Sequence, residues 1–224
     1  MTGEGYRSTK QSLAQAVFFD FDGVILDSVD VKTEAFAEMF RHYGAKVEQA
    51  VVDYHLANGG VSRFKKFEYY YEHILKRPIT SKKLEALGVE FNRLAMTGVM
   101  EAPFIDGAME TLKQLRKDGI PAFVVSGTPD VEIRVIVEKR NLSLYFTEVH
   151  GSPREKHDIV RDIARRYGYT LGECLFIGDA MTDYDAAQGC GTRFLGIVKE
   201  GELSPFPVGT EHRGSVYCGV YWHS

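Results

Sequence analysis

The sequence predicts an α/β fold, in which a doubly wound parallel sheet is interrupted after its first strand by an all-helical insertion. Two features of the 224 residues predict it. From about residue 105 onward, short β-rich runs alternate with amphipathic helical stretches, which is typical of right-handed βαβ units with helices on both faces of the sheet. Between the first β-rich run and residue 105, apolar residues recur only at helical spacing.

The first strand and the insertion come first along the chain. The run AVFFDF, residues 16–21, is short and β-rich, as expected for a buried strand. Three helical stripes follow, at residues 31–43, 64–75 and 84–95. Gly44 and Pro78 end the first two stripes, because glycine and proline interrupt a helix.

Two groups of residues in this part of the chain invite a functional interpretation, but we expect both to be structural. Asp27 and Ser28 precede the first stripe and are expected to cap its helix, at the junction of insertion and core. An aromatic row in the second stripe resembles a ligand platform, but its helical period favours the interior of the insertion. The row consists of Phe64, Phe67, Tyr70 and Tyr71.

The second half of the chain supplies the rest of a Rossmann-like core. Strands are predicted at residues 120–127, 145–151, 174–179 and 193–198, and helices at 109–118, 129–139, 155–167 and 183–188. A further strand is expected at 216–222, in the Gly- and Pro-punctuated tail that begins at Ser204. We therefore expect a discontinuous core, residues 1–27 and 105–224, and an inserted helical domain, residues 28–104.

Composition narrows the class of protein. Hydrophobic residues make up 44% and charged residues 26%, which predicts a packed core, and a net charge of −4 offers no footprint for nucleic acid or an anionic membrane. Cys174, Cys190 and Cys218 lack the spacing of a zinc site and are expected to be ordinary thiols. The first 15 residues are polar and unlike a secretory signal. We expect a soluble cytoplasmic protein, a monomer or a homodimer, with neither nucleic acid nor a membrane as partner.

Polar residues collect where the predicted strands end. In an open parallel sheet, ligands bind beyond the carboxyl ends of the strands, so these residues are expected to meet at one edge. Asp20 and Asp22 follow the first strand, and their spacing of two allows both carboxylates to face one substrate. The other strands lead to Ser126, Gly127 and Thr128, to Lys156, and to Asp179 and Asp183.

This set of residue types suits phosphoryl transfer. An aspartate can attack phosphorus to form an aspartyl-phosphate, and a second acid can protonate the leaving alkoxide. Carboxylates are the oxygen ligands that Mg²⁺ favours. A lysine, a hydroxyl and turn amides can bind the phosphoryl oxygens. Each residue also fits an ordinary structural role, such as an acid at a strand end or in the first turn of a helix. All of them together favour a catalytic site.

Four segments in order resemble the motifs of the haloacid dehalogenase superfamily. They are DFDGVILDS, VVSGT, a lysine before a helix, and IGDAMTDYDAA, and they cover essentially the whole core. A helical insertion after the first motif is similar to the cap of the phosphoglycolate phosphatase and β-phosphoglucomutase branch. The resemblance implies a Mg²⁺-dependent phosphatase that hydrolyses a small phosphorylated metabolite. The presence of Asp22 speaks against the dehalogenase and phosphonate hydrolase branches, which lack an acid there.

The resemblance also implies a role for each matching residue. Asp20 would be the nucleophile and Asp22 the general acid and base. Ser126, Gly127 and Lys156 would bind the phosphoryl group. The Mg²⁺ ligands would be Asp20, Asp179, Asp183 and, through its backbone carbonyl, Asp22. One departure is that Lys156 is followed by histidine where relatives often have proline, which leaves Arg154 as an alternative.

Substrate choice is expected to depend on the insertion. The segment HLANGGVSRFKK, residues 55–66, places paired glycines before three basic residues. In the branch that it resembles, a loop in this place covers the substrate, and we take Arg63 as the specificity residue, with a solvated helix start as the equal alternative. Two other functions stay open: a phosphomutase of the β-phosphoglucomutase kind, and a non-enzymatic signalling module that accepts phosphate on an aspartate.

Overall fold

A computed structural model describes residues 11–217 and 221–223 of the chain. Its main sheet has six strands in the order β4-β3-β2-β5-β6-β7, and neighbouring strands are parallel. These strands are β2 (Val17–Phe19), β3 (Ala122–Pro129), β4 (Glu148–Ser152), β5 (Leu175–Gly178), β6 (Arg193–Ile197) and β7 (His212–Arg213). From β2 the chain builds the sheet outward through β3 and β4 on one side and then through β5, β6 and β7 on the other. The predicted doubly wound α/β class is therefore confirmed.

Helices cover both faces of the sheet, as the βαβ pattern predicts. They are α5 (Ala108–Lys117), α6 (Asp130–Lys139), α7 (Lys156–Tyr167) and α8 (Met181–Cys190). Alternation along β2 divides the core into two layers. Val17 and Phe19 belong to one apolar cluster and Phe18 to the other, and all three side chains are fully buried. A strand buried on both faces reads as a continuous apolar run, which explains the sequence VFF.

Four helices lie between β2 and α5. They are α1 (Val29–Arg41), α2 (Ala45–Ala57), α3 (Arg63–Tyr69), which continues as one π-helical turn over Tyr70–Ile74, and α4 (Ser81–Glu101). All lie within residues 28–104, although the division into two domains stays a prediction. Two backbone hydrogen bonds, Asp27 N–H to the Pro103 carbonyl and Ile105 N–H to the Ile25 carbonyl, join the two chain segments that connect these helices to the sheet.

Aromatic rings fill the interior of this helical part. Phe67 and Tyr70 are fully buried and Tyr71 nearly so, and Phe64 packs against the same cluster. The prediction that the aromatic row forms core is therefore confirmed. The sequence pattern does not predict α2, because Val51 and His55 are its only buried residues and its apolar stripe is thin.

The tail differs from its prediction. Val216 and Tyr217 do not belong to a strand, and residues 218–220 of the predicted strand 216–222 lie outside the described residues. The observed strand, β8 (Tyr221–His223), pairs with β1 (Gln11–Leu13) in an antiparallel two-stranded sheet. Among the described residues Cys174 and Cys190 are free thiols, as predicted, and Cys218 lies outside them. Within the described ranges, no helix combines the length and the apolar character that crossing a membrane requires.

Candidate active site

Three carboxylates meet at the carboxyl edge of the sheet. Asp20 directly follows β2, Asp179 directly follows β5, and Asp183 lies in the first turn of α8. Carboxylate oxygens of the three residues lie within 4.8 Å of one another. Because β2 and β5 are parallel neighbours, their ends bring residues from distant parts of the sequence to one point.

This acidic cluster has the chemistry of a site for a hard divalent cation. Asp20 and Asp183 are buried. Burial, followed by the charges of Asp20 and Asp183, raises the pKa of Asp179 well above its ordinary value. Burial, opposed by Lys156 but helped by Asp20, raises the pKa of Asp183 to about 7. Carboxylates that resist ionising together are stabilised by a bound cation, and oxygen ligands suit Mg²⁺. The residues present therefore fit that ion.

Lys156 lies against the cluster. Its Nζ is 3.0 Å from Asp20 Oδ2 and donates to Asp183 Oδ1 at 2.5 Å. Burial alone lowers the pKa of Lys156, but the two carboxylates outweigh it, so the pKa is raised and the ammonium stays charged. Arg154, the alternative, instead pairs with Asp162 on the surface. The position beside Asp20 is therefore occupied by Lys156.

Ser126 and Gly127 lie where β3 reaches the same edge. Ser126 is buried, and its Oγ accepts a hydrogen bond from the Thr128 N–H at 3.1 Å. A Cβ on Gly127 would lie 2.1 Å from the Gly60 carbonyl oxygen of the insertion. Only glycine allows this approach, so the backbone of β3 and a loop of the insertion touch directly above the site.

Asp22 points to a different set of partners from the other acids. Its Oδ1 accepts from Ser28 Oγ at 2.6 Å, and its Oδ2 accepts from Lys32 Nζ at 2.5 Å and from Thr128 Oγ1 at 2.9 Å. Burial raises the pKa of Asp22, but the charge of Lys32 and these hydrogen bonds outweigh it, so the pKa lies below its ordinary value. Asp22 is therefore a carboxylate in this arrangement, and its side chain lies outside the three-acid cluster.

The expected capping role of Ser28 is wrong. Ser28 stands at the N-cap position of α1, but its side chain makes no capping hydrogen bond to the described helix. Its hydroxyl instead reaches back to Asp22. Asp27 forms an ion pair with Lys199 at 2.8 Å rather than binding the helix terminus. The Ser28 hydroxyl therefore donates to the charged carboxylate of Asp22, and hydrogen bonds to charged acceptors are the stronger ones.

A cavity of about 210 Å³ lies between the sheet edge and the insertion. Asp20, Asp22 and Asp179 line its floor, and the insertion contributes three cations, Lys32, Arg63 and Lys66. Its volume lies below the roughly 300–1,000 Å³ that is usual for drug-sized ligands, so the cavity suits a small molecule. Arg63 is buried, forms an ion pair with Glu132 and stacks over the Phe91 ring at 4.6 Å.

The loop between α2 and α3, residues 58–62, which we call the glycine loop, covers the site. Its Gly59 carbonyl accepts from Thr182 Oγ1 at 2.9 Å. A Cβ on Gly60, which has φ of +72°, would lie 2.1 Å from that same Oγ1 and 3.0 Å from Lys156 Nζ. The paired glycines therefore let the loop lie directly on the carboxyl edge of the sheet.

Sequence reasoning missed several residues of this site. Lys32 lies outside every motif and stands ten residues from Asp22 across a chain reversal. Thr128 and Thr182 lie within the segments VVSGT and IGDAMTDYDAA, but the motifs assign them no role. Lys66 had one available signal: it lies three residues after Arg63 and therefore shares its helix face.

Comparison with known proteins agrees with this geometry. The profile of the haloacid dehalogenase-like hydrolases matches residues 14–191. The chain belongs to this family. It is therefore an enzyme, as predicted from its motifs.

Individual relatives of this haloacid dehalogenase-like hydrolase cover most of its length. Phosphoglycolate phosphatase 1 of Pseudomonas aeruginosa is 24% identical over 196 residues, which is 81% of this chain and 68% of the relative. Phosphoglycolate phosphatase of Vibrio parahaemolyticus is 26% identical over 203 residues, 84% of this chain and 85% of the relative. The crystal structure of β-phosphoglucomutase from Clostridium difficile aligns with a TM-score of 0.68 and 18% identity over 84% of this chain and 86% of that one, a likeness of fold.

Proposed function

We propose that this haloacid dehalogenase-like hydrolase is a Mg²⁺-dependent phosphatase that hydrolyses a small phosphorylated metabolite through an aspartyl-phosphate. The observation that carries the proposal is the set of groups around Asp20: two further carboxylates within 4.8 Å and an ammonium at 3.0 Å. The names of the relatives, phosphoglycolate phosphatases, support a phosphorylated substrate.

Asp20 is the proposed nucleophile. The Phe21 N–H donates to Asp20 Oδ1 at 2.7 Å and Lys156 faces Oδ2, so the carboxylate is oriented before substrate arrives. A carboxylate oxygen attacks phosphorus, the ester P–O bond breaks, and the alkoxide leaves with a proton from Asp22. Water then gives its proton to Asp22 and attacks the same phosphorus, which releases phosphate and restores Asp20.

Asp22 needs a proton before it can act as the acid. In the arrangement seen here Lys32 keeps it ionised. An incoming phosphate dianion repels the Asp22 carboxylate and competes for the Lys32 ammonium, and both effects raise the pKa of Asp22. Substrate binding would therefore convert Asp22 from a carboxylate into the acid that the first step requires.

Lys156, Ser126 and the Gly127 N–H would bind the phosphoryl oxygens, and the glycine loop would exclude water until the phosphoenzyme has formed. Asp20, Asp179, Asp183 and the Asp22 backbone carbonyl would hold Mg²⁺. When bound, Mg²⁺ would offset negative charge on the phosphoryl group.

The test is phosphate release from phosphoglycolate, sugar phosphates, sugar-acid phosphates and nucleotides, with and without Mg²⁺. We expect Mg²⁺-dependent release that Asp20→Asn abolishes and that Asp30→Asn, an exposed acid on α1, leaves unchanged. Isomerised sugar phosphate without free phosphate would replace the proposal by a phosphomutase. Failure of the wild-type protein to release phosphate from any substrate, including an aryl phosphate, would refute it.

A further inference from the structure

We propose that Lys66 is the receptor for a carboxylate on the substrate, so that the enzyme selects small phosphomonoesters that also carry a carboxylic acid. This inference rests on the proposed phosphatase function and deepens it. It moves the specificity determinant from Arg63, the residue that the sequence suggests, to a lysine one turn further along α3.

Lys66 is a buried cation in the cavity that contains the catalytic acids. The residue is only 2% exposed, and it lines the same cavity as Asp20 and Asp22. A buried ammonium is costly unless an anion accompanies it. Within the described part of the chain, no carboxylate forms an ion pair with it.

The partners of Lys66 hold the ammonium in place without neutralising its charge. Its Nζ lies 2.8 Å from His55 Nδ1 and 3.3 Å from the His55 carbonyl oxygen, and it lies 5.8 Å from the centre of the Phe36 ring. Burial, followed by the charge of Lys66, lowers the pKa of His55 to about 3, so the imidazole is neutral and accepts the hydrogen bond. An ammonium has three N–H donors, and two acceptors leave one for a ligand.

The other two cations of the cavity already have carboxylate partners. Arg63 pairs with Glu132, and Lys32 pairs with Asp22. A substrate anion at either residue would have to displace a protein carboxylate. When protonated, Lys66 offers one positive charge that no carboxylate of the described residues pairs with, and this charge matches the single negative charge of a substrate carboxylate.

The test compares two substrates that differ in one group. Phosphoglycolate carries a carboxylate where 2-hydroxyethyl phosphate carries a neutral alcohol. We expect the wild-type kcat/KM to favour phosphoglycolate by about 10- to 100-fold, as for a charge-assisted hydrogen bond in a buried site. Lys66→Met is expected to lower this preference to near unity, chiefly by lowering kcat/KM for phosphoglycolate.

Two variants make the result specific. Lys65→Met removes the neighbouring, exposed lysine, whose partner is Glu155, and is expected to keep the full preference. Lys66→Arg is expected to restore part of it. Lys66→Met should fold, because an apolar side chain of similar length fits a buried position, and a melting curve checks this.

The remaining outcomes are distinct. Hydrolysis of both substrates at equal rates by the wild-type protein, or a preference that survives in Lys66→Met, overturns the inference and leaves the phosphatase standing. A preference for 1,2-ethanediol bisphosphate over phosphoglycolate overturns the assignment of a carboxylate. Absence of hydrolysis of every substrate, including an aryl phosphate, is the separate failure of the proposed function.

Discussion

Gly127 lies at the contact between the sheet edge and the glycine loop, and alanine at this position tests whether that contact is needed for catalysis. The added Cβ would lie 2.1 Å from the Gly60 carbonyl oxygen, whereas ordinary contact begins at 3.4 Å. The obstacle is backbone and not the end of a flexible side chain. The loop would therefore withdraw by about 1 Å, and a displacement of that size in a catalytic arrangement costs about 100-fold in rate.

The substitution is expected to leave the core intact. The φ of Gly127 lies outside the left-handed region, so alanine fits the strand end once the loop has moved. The matched control is Gly189→Ala in α8, where a Cβ would meet nothing within 4 Å. Alanine there is expected to stabilise the helix by up to about 1 kcal/mol and to leave activity unchanged.

Steady-state phosphate release with Mg²⁺ and a melting curve measure both effects. We expect Gly127→Ala to lose about 100-fold in kcat/KM with a Tm close to that of the wild type. A kcat/KM within twofold of the wild type would refute the reasoning, because the glycine loop would then not need to lie on β3. A collapse of Tm would show instead that Gly127 acts through the stability of the core.

Three further changes test other contacts. Lys32→Met removes the contact that holds the Asp22 carboxylate in position and is expected to lower kcat about tenfold. Lys46→Met, at an exposed position of α2, is expected to leave kcat unchanged. A kcat of Lys32→Met equal to that of the wild type would show that Lys32 does not position Asp22. Asp183→Asn is expected to raise the Mg²⁺ concentration for half-maximal activity 10- to 100-fold. Asp185→Asn, at an exposed position two residues further on, is expected to leave that concentration unchanged. Identical Mg²⁺ titrations of Asp183→Asn and the wild type would show that Asp183 does not bind the ion. Burial and the charge of Lys32, against the weaker attraction of Asp179 and Asp22, lower the pKa of Lys66 to about 7 from 10.5. Between these values the unfolded chain binds more protons, so this group makes stability rise with pH from about 7 to 10.5. The denaturant midpoint of the wild type is expected to rise over this pH range, and that of Lys66→Met is expected not to. The same dependence of the midpoint on pH in both proteins would show that a group other than Lys66 titrates.

Much of the candidate site at the carboxyl edge of the sheet could be predicted from sequence because its signals are local. A β-rich run followed by Asp20 and Asp22, or by Asp179, indicates the end of a strand, and this signal does not depend on the rest of the sequence. Alternation of strands and helices requires right-handed crossovers, and these bring all carboxyl ends to one edge. The meeting of Asp20, Asp179 and Lys156 thus follows from topology alone, and the structure places them together. Their chemical roles stay predictions.

Tertiary structure decided which charges are paired, and it therefore decided which of them is available to a ligand. Ser28 was expected to cap a helix, but the fold brings Asp22 within reach of its hydroxyl. Arg63 and Lys66 are both basic residues on one helix, and nothing local distinguishes them. Arg63 pairs with Glu132, 69 residues away, whereas the Lys66 ammonium is hydrogen-bonded to the neutral His55 of α2. The pairing of charges depends on contacts between elements that are far apart in the chain. The period of an amphipathic helix predicts which face is buried but not which residues contact that face.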